Sequence, residues 1–307
     1  MATKLRWSTS SKMNASAPKQ RLFLKAIGLF SLVRGVNISV LMTAQLLTSL
    51  FIFSTAPLAV TLMDLNIWLI VLATGFSVSG GYIVNAFFDE EKDIINRPEK
   101  TLLERHISAK TKLGVYFACS ILALLAASYV SFRAVLFFTA YMLGMFLYST
   151  YLKRTFWFGT LVSTLLTVLP FFAITVYYKN FSLEIFVHAA YLYTLVSIRE
   201  FTKALYNLSG DLAQNYKTFP VVWGERKTKQ LISALVGSAL LVVVILGRFF
   251  ELNAMRYYFV LAVVLLPVFL LLLWRFSGKH QFGLLVQFVR IIILLGVISL
   301  PLLRITI

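Results

Sequence analysis

The sequence has 307 residues, of which 59% are apolar and 13% charged, with a mean hydropathy of +0.83. A water-soluble domain would be about a quarter charged, so a soluble globular fold is excluded and the chain reads as an integral membrane protein. Its formal net charge of +17 therefore belongs to whichever side of the bilayer holds the lysines and arginines, and nucleic acid is not expected as a partner.

Residues 1–20 are rich in Ser, Thr, Lys and Ala without apolar periodicity and are expected to form a mobile tail; no apolar core with a small-residue cleavage site marks a signal peptide there. Arg21 to Leu32 reads as an amphipathic helix at the interface, with Arg21 and Lys25 toward headgroups and Leu22, Leu24, Ile27 and Phe30 toward lipid, or equally as an extension of the first span. Nine apolar runs follow, near 36–56, 67–88, 113–131, 134–152, 158–178, 184–205, 231–247, 257–274 and 284–303. Each is close to the roughly 20 residues that a bilayer core requires. The fold class predicted is all-α, a polytopic bundle of nine transmembrane helices over residues 21–307. The lone cysteine, Cys119, lies inside the third run, so no intrachain disulfide supports the fold.

With the N-terminus inside, twenty-three of the 29 basic residues fall on the cytoplasmic side. Only Arg133, Lys179, Arg248, Arg256 and Arg304 fall outside, and Arg290 lies within the last run. That asymmetry predicts a cytoplasmic N-terminus and a bacterial inner-membrane location. The two long connections, about 89–112 and 206–230, are then both cytoplasmic, where a rigid helical scaffold would carry a site.

Nine of the 12 acidic residues lie in the segments GYIVNAFFDEEKDIINRPEKTLLERHIS and IREFTKALYNLSGDLAQNYKTFPVVWGERKTK that contain these connections. In the first, Asn85, Asp89 and Asp93 are spaced i, i+4, i+8, which on a helix continuing the second span puts three oxygen-bearing side chains on one stripe. Such a stripe suits a hard cation such as Mg²⁺ that also holds substrate phosphates; a solvated acidic helix end is the competing reading. The second segment repeats the spacing with Asn207 and Asp211, and Gly210 before Asp211 allows the backbone to turn or to approach a ligand closely. Lys203 and Glu200 stand one and two turns earlier. His106, His188 and His280 are isolated from one another and from Cys119, which argues against a transition-metal site, and no Walker loop or GxGxxG fingerprint occurs.

These residues resemble the UbiA superfamily of intramembrane prenyltransferases, whose first motif reads N-D-x-x-D-x-x-x-D. Here it is Asn85, Ala86, Asp89 and Asp93, followed by Ile95-Asn96-Arg97-Pro98. The second motif is matched by Asn207-Leu208-Ser209-Gly210-Asp211, then Lys217-Thr218-Phe219-Pro220-Val221 and Gly224. Tyr148, Ser149 and Lys153 match a further Tyr-Ser and lysine pattern, and Arg34 with Asn37 resembles the family's start. The resemblance extends over the whole helical region.

It implies a Mg²⁺-dependent transfer of an isoprenyl group from a polyprenyl diphosphate to a lipophilic acceptor: a quinone precursor, an aromatic ring or a glycerol phosphate lipid. The metal would be held by Asn85, Asp89, Asp93, Asn207 and Asp211, and the diphosphate by Arg97, Lys153, Lys203 and Lys217. Tyr148 and Ser149 would stand near the reacting carbon, with Asp89, Asp93 and Asp211 catalytic. The pattern departs from the family at Ala86 and Asn207, each where it has Asp, leaving three motif carboxylates. A non-catalytic relative binding isoprenoid lipid or a partner enzyme is the alternative that this departure raises.

Overall fold

A computed structural model describes residues 18–104 and 107–305, all helical or in short connections. Residues 1–17 of the expected tail and His106 lie outside the described residues, as do the side chains of Arg21, Leu22 and Leu24; residues 18–20, expected in the tail, are already helical. In chain order the α-helices are α1 (Pro18–Leu32), α2 (Gly35–Thr48), α3 (Leu58–Met63), α4 (Leu65–Phe88), α5 (Glu90–Asn96), α6 (Pro98–Glu104), α7 (Ala109–Val130) and α8 (Phe132–Thr150). They continue as α9 (Phe156–Val168), α10 (Phe171–Tyr178), α11 (Leu183–Tyr206), α12 (Leu208–Ala213), α13 (Phe219–Phe249), α14 (Arg256–Arg275) and α15 (Lys279–Ile298).

Among the described residues seven helices are long and apolar enough to cross a bilayer, and α9 with α10, a pair bent by 50°, count as an eighth when taken as one span. The expected count of nine is thus met only in outline. Helix α11 occupies the sixth predicted run and has 24 residues, but Arg199, Glu200 and Lys203 at its inner end keep it from being a uniformly apolar rod. The fifth run breaks at Pro170, as a proline inside a helix dictates. Buried Gln45 of α2 holds the break, its Nε2 donating to the Pro170 carbonyl at 2.6 Å and to Thr74 Oγ1 of α4 at 3.0 Å.

The amphipathic segment is a helix of its own. Arg34 turns left-handed (φ 53°) between α1 and α2, so α1 is not an extension of the first span. Phe23, Ile27 and Phe30 project from it exposed, at helical spacing, while Leu32 is buried.

Helices α4 and α11 are the inner members of two groups. Helix α4 packs on α2, α7 and α8, and α11 on α9, α13 and α15. In α4 67% of the most apolar stretch is buried, against 11% in α7, so α7 shows its surface to lipid. The largest apolar core joins Tyr191, Leu195 and Ile198 of α11 to Ile232, Phe269 and Val289 of α13, α14 and α15. At one end Tyr177 of α10 donates to Asp64, which caps α4 through the Asn66 amide. At the other end α4 and α11 run into the two acidic segments.

Candidate active site

The long connections are short helices rather than open loops. Arg97 precedes Pro98 and is pushed out of helical geometry (φ −143°), so Asn96-Arg97-Pro98 closes α5 and starts α6. The backbone ladder nevertheless carries across Asp89, whose amide bonds to the Asn85 carbonyl and whose carbonyl accepts from the Asp93 amide. Asn85, Asp89 and Asp93 accordingly share one face. On the other segment α12 lies against α5, because Gly210 has no Cβ: one there would overlap the Asn96 amide. Asn96 Nδ2 donates to the Asn207 carbonyl at 3.4 Å. The close approach that Gly210 allows is therefore to another motif residue.

The two segments meet on one polar cavity of about 90 Å³. Its walls hold Asn85, Asp89 and Asp93 from the first segment, Asn207 and Asp211 from the second, and the cations Arg34, Lys92, Arg97, Lys153 and Lys203. Tyr148 and Glu200 line it too, with hydroxyls from Thr155, Thr160 and Ser163. Two expected residues are elsewhere. Ser149 is fully buried one position beyond Tyr148 and so faces another side of α8, away from the cavity wall. Lys217 is exposed in the connection before α13, while its neighbour Thr218 points inward. Ala86 packs in an apolar cluster with Leu32, Ile83 and Ile107, so the substituted motif position does not reach the cavity.

Each motif carboxylate has a lysine partner. Lys153 Nζ donates to Asp89 Oδ1 at 2.8 Å, Asn85 Nδ2 to Asp89 Oδ2 at 2.9 Å, and the Tyr216 hydroxyl to Oδ1 at 3.4 Å. Lys92 is 2.5 Å from Asp211 Oδ1, and Thr218 Oγ1 donates to Oδ2 at 3.1 Å. Thr218 sits at the start of α13 but spends its hydroxyl on Asp211 rather than on a cap. Asp93 is held more loosely, 3.5 Å from Lys100. Glu200 takes both Arg199 at 2.8 Å and Lys203 at 2.7 Å, which aims Lys203 along the cavity wall.

Electrostatics separate the two principal acids. Burial opposes ionisation of Asp89, but Lys153, Lys92 and Arg34 outweigh it and hold the carboxyl below the usual 3.8. At Asp211 burial wins over Lys92 and Thr218, and the carboxyl is raised. Burial also lowers Lys153 despite Asp89, lowers Arg97 beside Arg34, and pushes the Tyr216 phenol up to about 12.

The donor chemistry fits a hard divalent cation. Among the described residues no group of three or more His, Cys, Asp or Glu side chains forms a ready cation cage, but the cavity offers amide oxygens besides its carboxylates. Asn85 Oδ1 and Asn207 Oδ1 are both buried without a hydrogen-bond partner, a costly state that a bound cation would relieve.

Lys92 was not recognisable from spacing, although it is a cation placed among four acids between Asp89 and Asp93, and Thr218 stood in the matched second motif without a role. Arg290, alone in the last span, pairs with Asn37 Oδ1 at 2.9 Å instead of lining this cavity.

Known proteins share the family and the helical fold. Residues 41–283 match the model of the UbiA prenyltransferase family. The digeranylgeranylglyceryl phosphate synthase of Korarchaeum cryptofilum (strain OPF8) is 28% identical over 191 residues, 62% of this chain and 68% of that one. A UbiA homolog from Archaeoglobus fulgidus, described as bound to GPP and Mg²⁺, superposes with a TM-score of 0.66 at 16% identity, covering 89% of this chain and 99% of that one. The apo UbiA homolog from Aeropyrum pernix K1 gives 0.68 at 15% identity, covering 86% and 98%. Family match, helical architecture and paired motif clusters on one cavity agree, and the chain belongs to the UbiA prenyltransferase family.

Proposed function

We propose that the protein transfers an isoprenyl group from a prenyl diphosphate to a glycerol phosphate lipid, at the cytoplasmic face of its membrane and with Mg²⁺. The observation that carries this reading is the meeting of Asn85, Asp89, Asp93, Asn207 and Asp211 with five lining cations on one cavity. The acceptor class is supported by the likeness to digeranylgeranylglyceryl phosphate synthases, and the donor and metal by the homolog described with GPP and Mg²⁺. The orientation is supported by the uneven spread of the 29 basic residues.

Asn85, Asp89 and Asp93, with Asn207 and Asp211 across the cavity, would hold the metal, which when bound neutralises charge on the departing diphosphate. Arg34, Arg97, Lys153 and Lys203 donate hydrogen bonds to diphosphate oxygens. Breaking the allylic C–O bond releases diphosphate and leaves a cationic carbon; the acceptor's hydroxyl oxygen attacks that carbon to form an ether, and the hydroxyl proton leaves on the departing diphosphate. Tyr148 lines the cavity and offers its ring to that carbon.

A second, mainly apolar cavity of about 340 Å³ is lined by Phe51, Phe172, Leu195 and Phe259. Leu195 lies on α11 five residues before Glu200, about 7.5 Å along the axis, while Glu184 and Glu251 line the cavity at the opposite end of the bundle; an apolar chamber within the helices suits an isoprenoid tail.

Purified protein supplied with Mg²⁺, labelled geranylgeranyl diphosphate and geranylgeranylglyceryl phosphate should release diphosphate and form the diether. In Asp89→Ala and Asp211→Ala the rate should fall by about 100-fold or more. Turnover untouched by both substitutions would overturn the site.

A further inference from the structure

Arg290 is the only charged residue between Lys279 and Arg304. It stands on α15 eleven residues in from Lys279, about 16 Å along the axis, farther than an arginine side chain reaches. A charged side chain this deep in a span is ordinarily paired. Among the described residues Arg290 bonds instead to a neutral amide, its Nη2 donating to Asn37 Oδ1 of α2 at 2.9 Å. A guanidinium carries five N–H donors, so most of the fork has no protein acceptor and the charge has no counter-ion.

The pair lies on a seam. Val289 is buried in the core and Ile291 is exposed; across from them Ile38 is buried and Val36 exposed. Arg290 and Asn37, each half-buried, therefore mark the line between α2 and α15 where the interior of the bundle meets lipid. Their depth matches the polar cavity. Gly283 of α15 abuts the Tyr206 ring of α11, and the two helices run antiparallel. Arg290, seven residues beyond Gly283, is thus about level with Arg199 and Glu200, seven and six residues before Tyr206. Asn37 follows Arg34 by one turn, its amide bonding to the Arg34 carbonyl, and both Glu200 and Arg34 line the polar cavity. Helical side chains lean toward the N-terminus, which in α15 is the motif end, so Arg290 leans the same way.

We infer that Arg290 binds the phosphate of the acceptor: the guanidinium fork holds a phosphate monoester on a lipid whose tail stays in the bilayer beside α2 and α15, while the glycerol hydroxyl reaches the allylic carbon. The inference rests on the glycerol phosphate reading above. In such an acceptor the phosphate and the hydroxyl share one three-carbon backbone, so the anion must sit close beside the reacting carbon without occupying the place of the diphosphate. Arg290 stands outside the wall of the polar cavity and next to it. Asn37 is then a positioning residue, which aims the fork without neutralising it; a carboxylate there would compete with the phosphate.

The test uses the full chain in detergent micelles with Mg²⁺, geranylgeranyl diphosphate as donor, and two acceptors: geranylgeranylglyceryl phosphate and phosphate-free geranylgeranylglycerol. The unsubstituted protein should favour the phosphate-bearing acceptor in kcat/KM by about tenfold or more. Arg290→Gln should lose that preference, with KM raised far more for the phosphate-bearing acceptor than for the neutral one or the donor, and Arg290→Lys should keep part of it. Asn37→Asp retains the link between α2 and α15 but supplies a counter-ion, so it too should lose the preference, whereas a merely structural link would be kept or strengthened by that change. Equal loss toward both acceptors in Arg290→Gln, or an unaltered preference in Asn37→Asp, would overturn the inference. So would inhibition by phosphatidylglycerol as strong as competition by the acceptor itself, which would put a membrane phosphodiester on the guanidinium. An unsubstituted protein that prenylates neither acceptor would instead overturn the glycerol phosphate reading, and this inference with it.

Discussion

At the residue scale, Asp89 and Asp211 show how partners decide the state of a buried acid. Asp89 is held below its usual 3.8 chiefly because Lys153, Lys92 and Arg34 overcome burial. Its contribution to stability is therefore fully present above the unfolded value and is lost only as pH falls through the lower folded one. Asp211 is raised by burial, so the sign reverses: its ionised form costs stability, and that cost disappears as pH falls through the raised value. On acidification Asp211 should take up its proton before Asp89. Thr218→Val removes a hydrogen bond that favours the ionised Asp211 and should widen the gap by raising Asp211 further. Carboxyl infrared bands assigned with Asp89→Asn and Asp211→Asn check this, and protonation in the reverse order would refute it. The oxygen-bearing positions Asn85, Asp89, Asp93, Asn207 and Asp211 were legible from spacing because four-residue steps put side chains on one face. Ser149 and Lys217 were not placed correctly, because one residue of rotation on α8, or one step along the connection before α13, changes which way a side chain faces. Lys92 was hidden for a related reason: its role depends on contact with α12, more than a hundred residues away.

Among elements, the apolar helices were the easiest to read and the connections the hardest. Long apolar runs report themselves through hydropathy, and Pro170 in the fifth run already implies a break. The short helices α5, α6 and α12 carry too few residues for periodicity to stand out, and they are stabilised by docking on one another. Gly210 is where that docking is most sensitive. A Cβ at this position would press on the side chain of Asn96, which is itself 3% exposed and bonded to the Asn207 carbonyl. Gly210→Ala should therefore separate α12 from α5 at a cost of about 1–3 kcal/mol. It should weaken diphosphate binding more than it lowers the stability of the spans. Thermal unfolding in detergent, read beside affinity for a donor analogue, checks both. Unchanged affinity in a folded Gly210→Ala protein would show that the two segments do not need this contact.

Over the whole molecule, the cavity lies where two separately packed groups of helices meet. The large core of α11, α13, α14 and α15 is distinct from the smaller clusters around α4, and each group ends in one motif. Relative placement of the groups therefore sets the distance between the motif oxygens, which sequence spacing within either segment does not encode. What sequence does encode at this scale is sidedness. The motif ends of α4 and α11 share their side of the bundle with Lys153, Arg275 and Lys279, while Asp64, Lys179 and Arg304 mark the opposite side. If the basic side is cytoplasmic, as proposed, the two faces should differ in their access to a membrane-impermeant maleimide. The native thiol is removed first by Cys119→Ala, since Cys119 is only half-buried. Glu99→Cys then places a thiol on exposed α6, and Ser182→Cys places one on the exposed turn before α11. In intact spheroplasts the thiol at position 182 should react at once and the thiol at position 99 only after permeabilisation. The opposite pattern would place the diphosphate cavity on the outer face, away from any cytoplasmic supply of prenyl diphosphate.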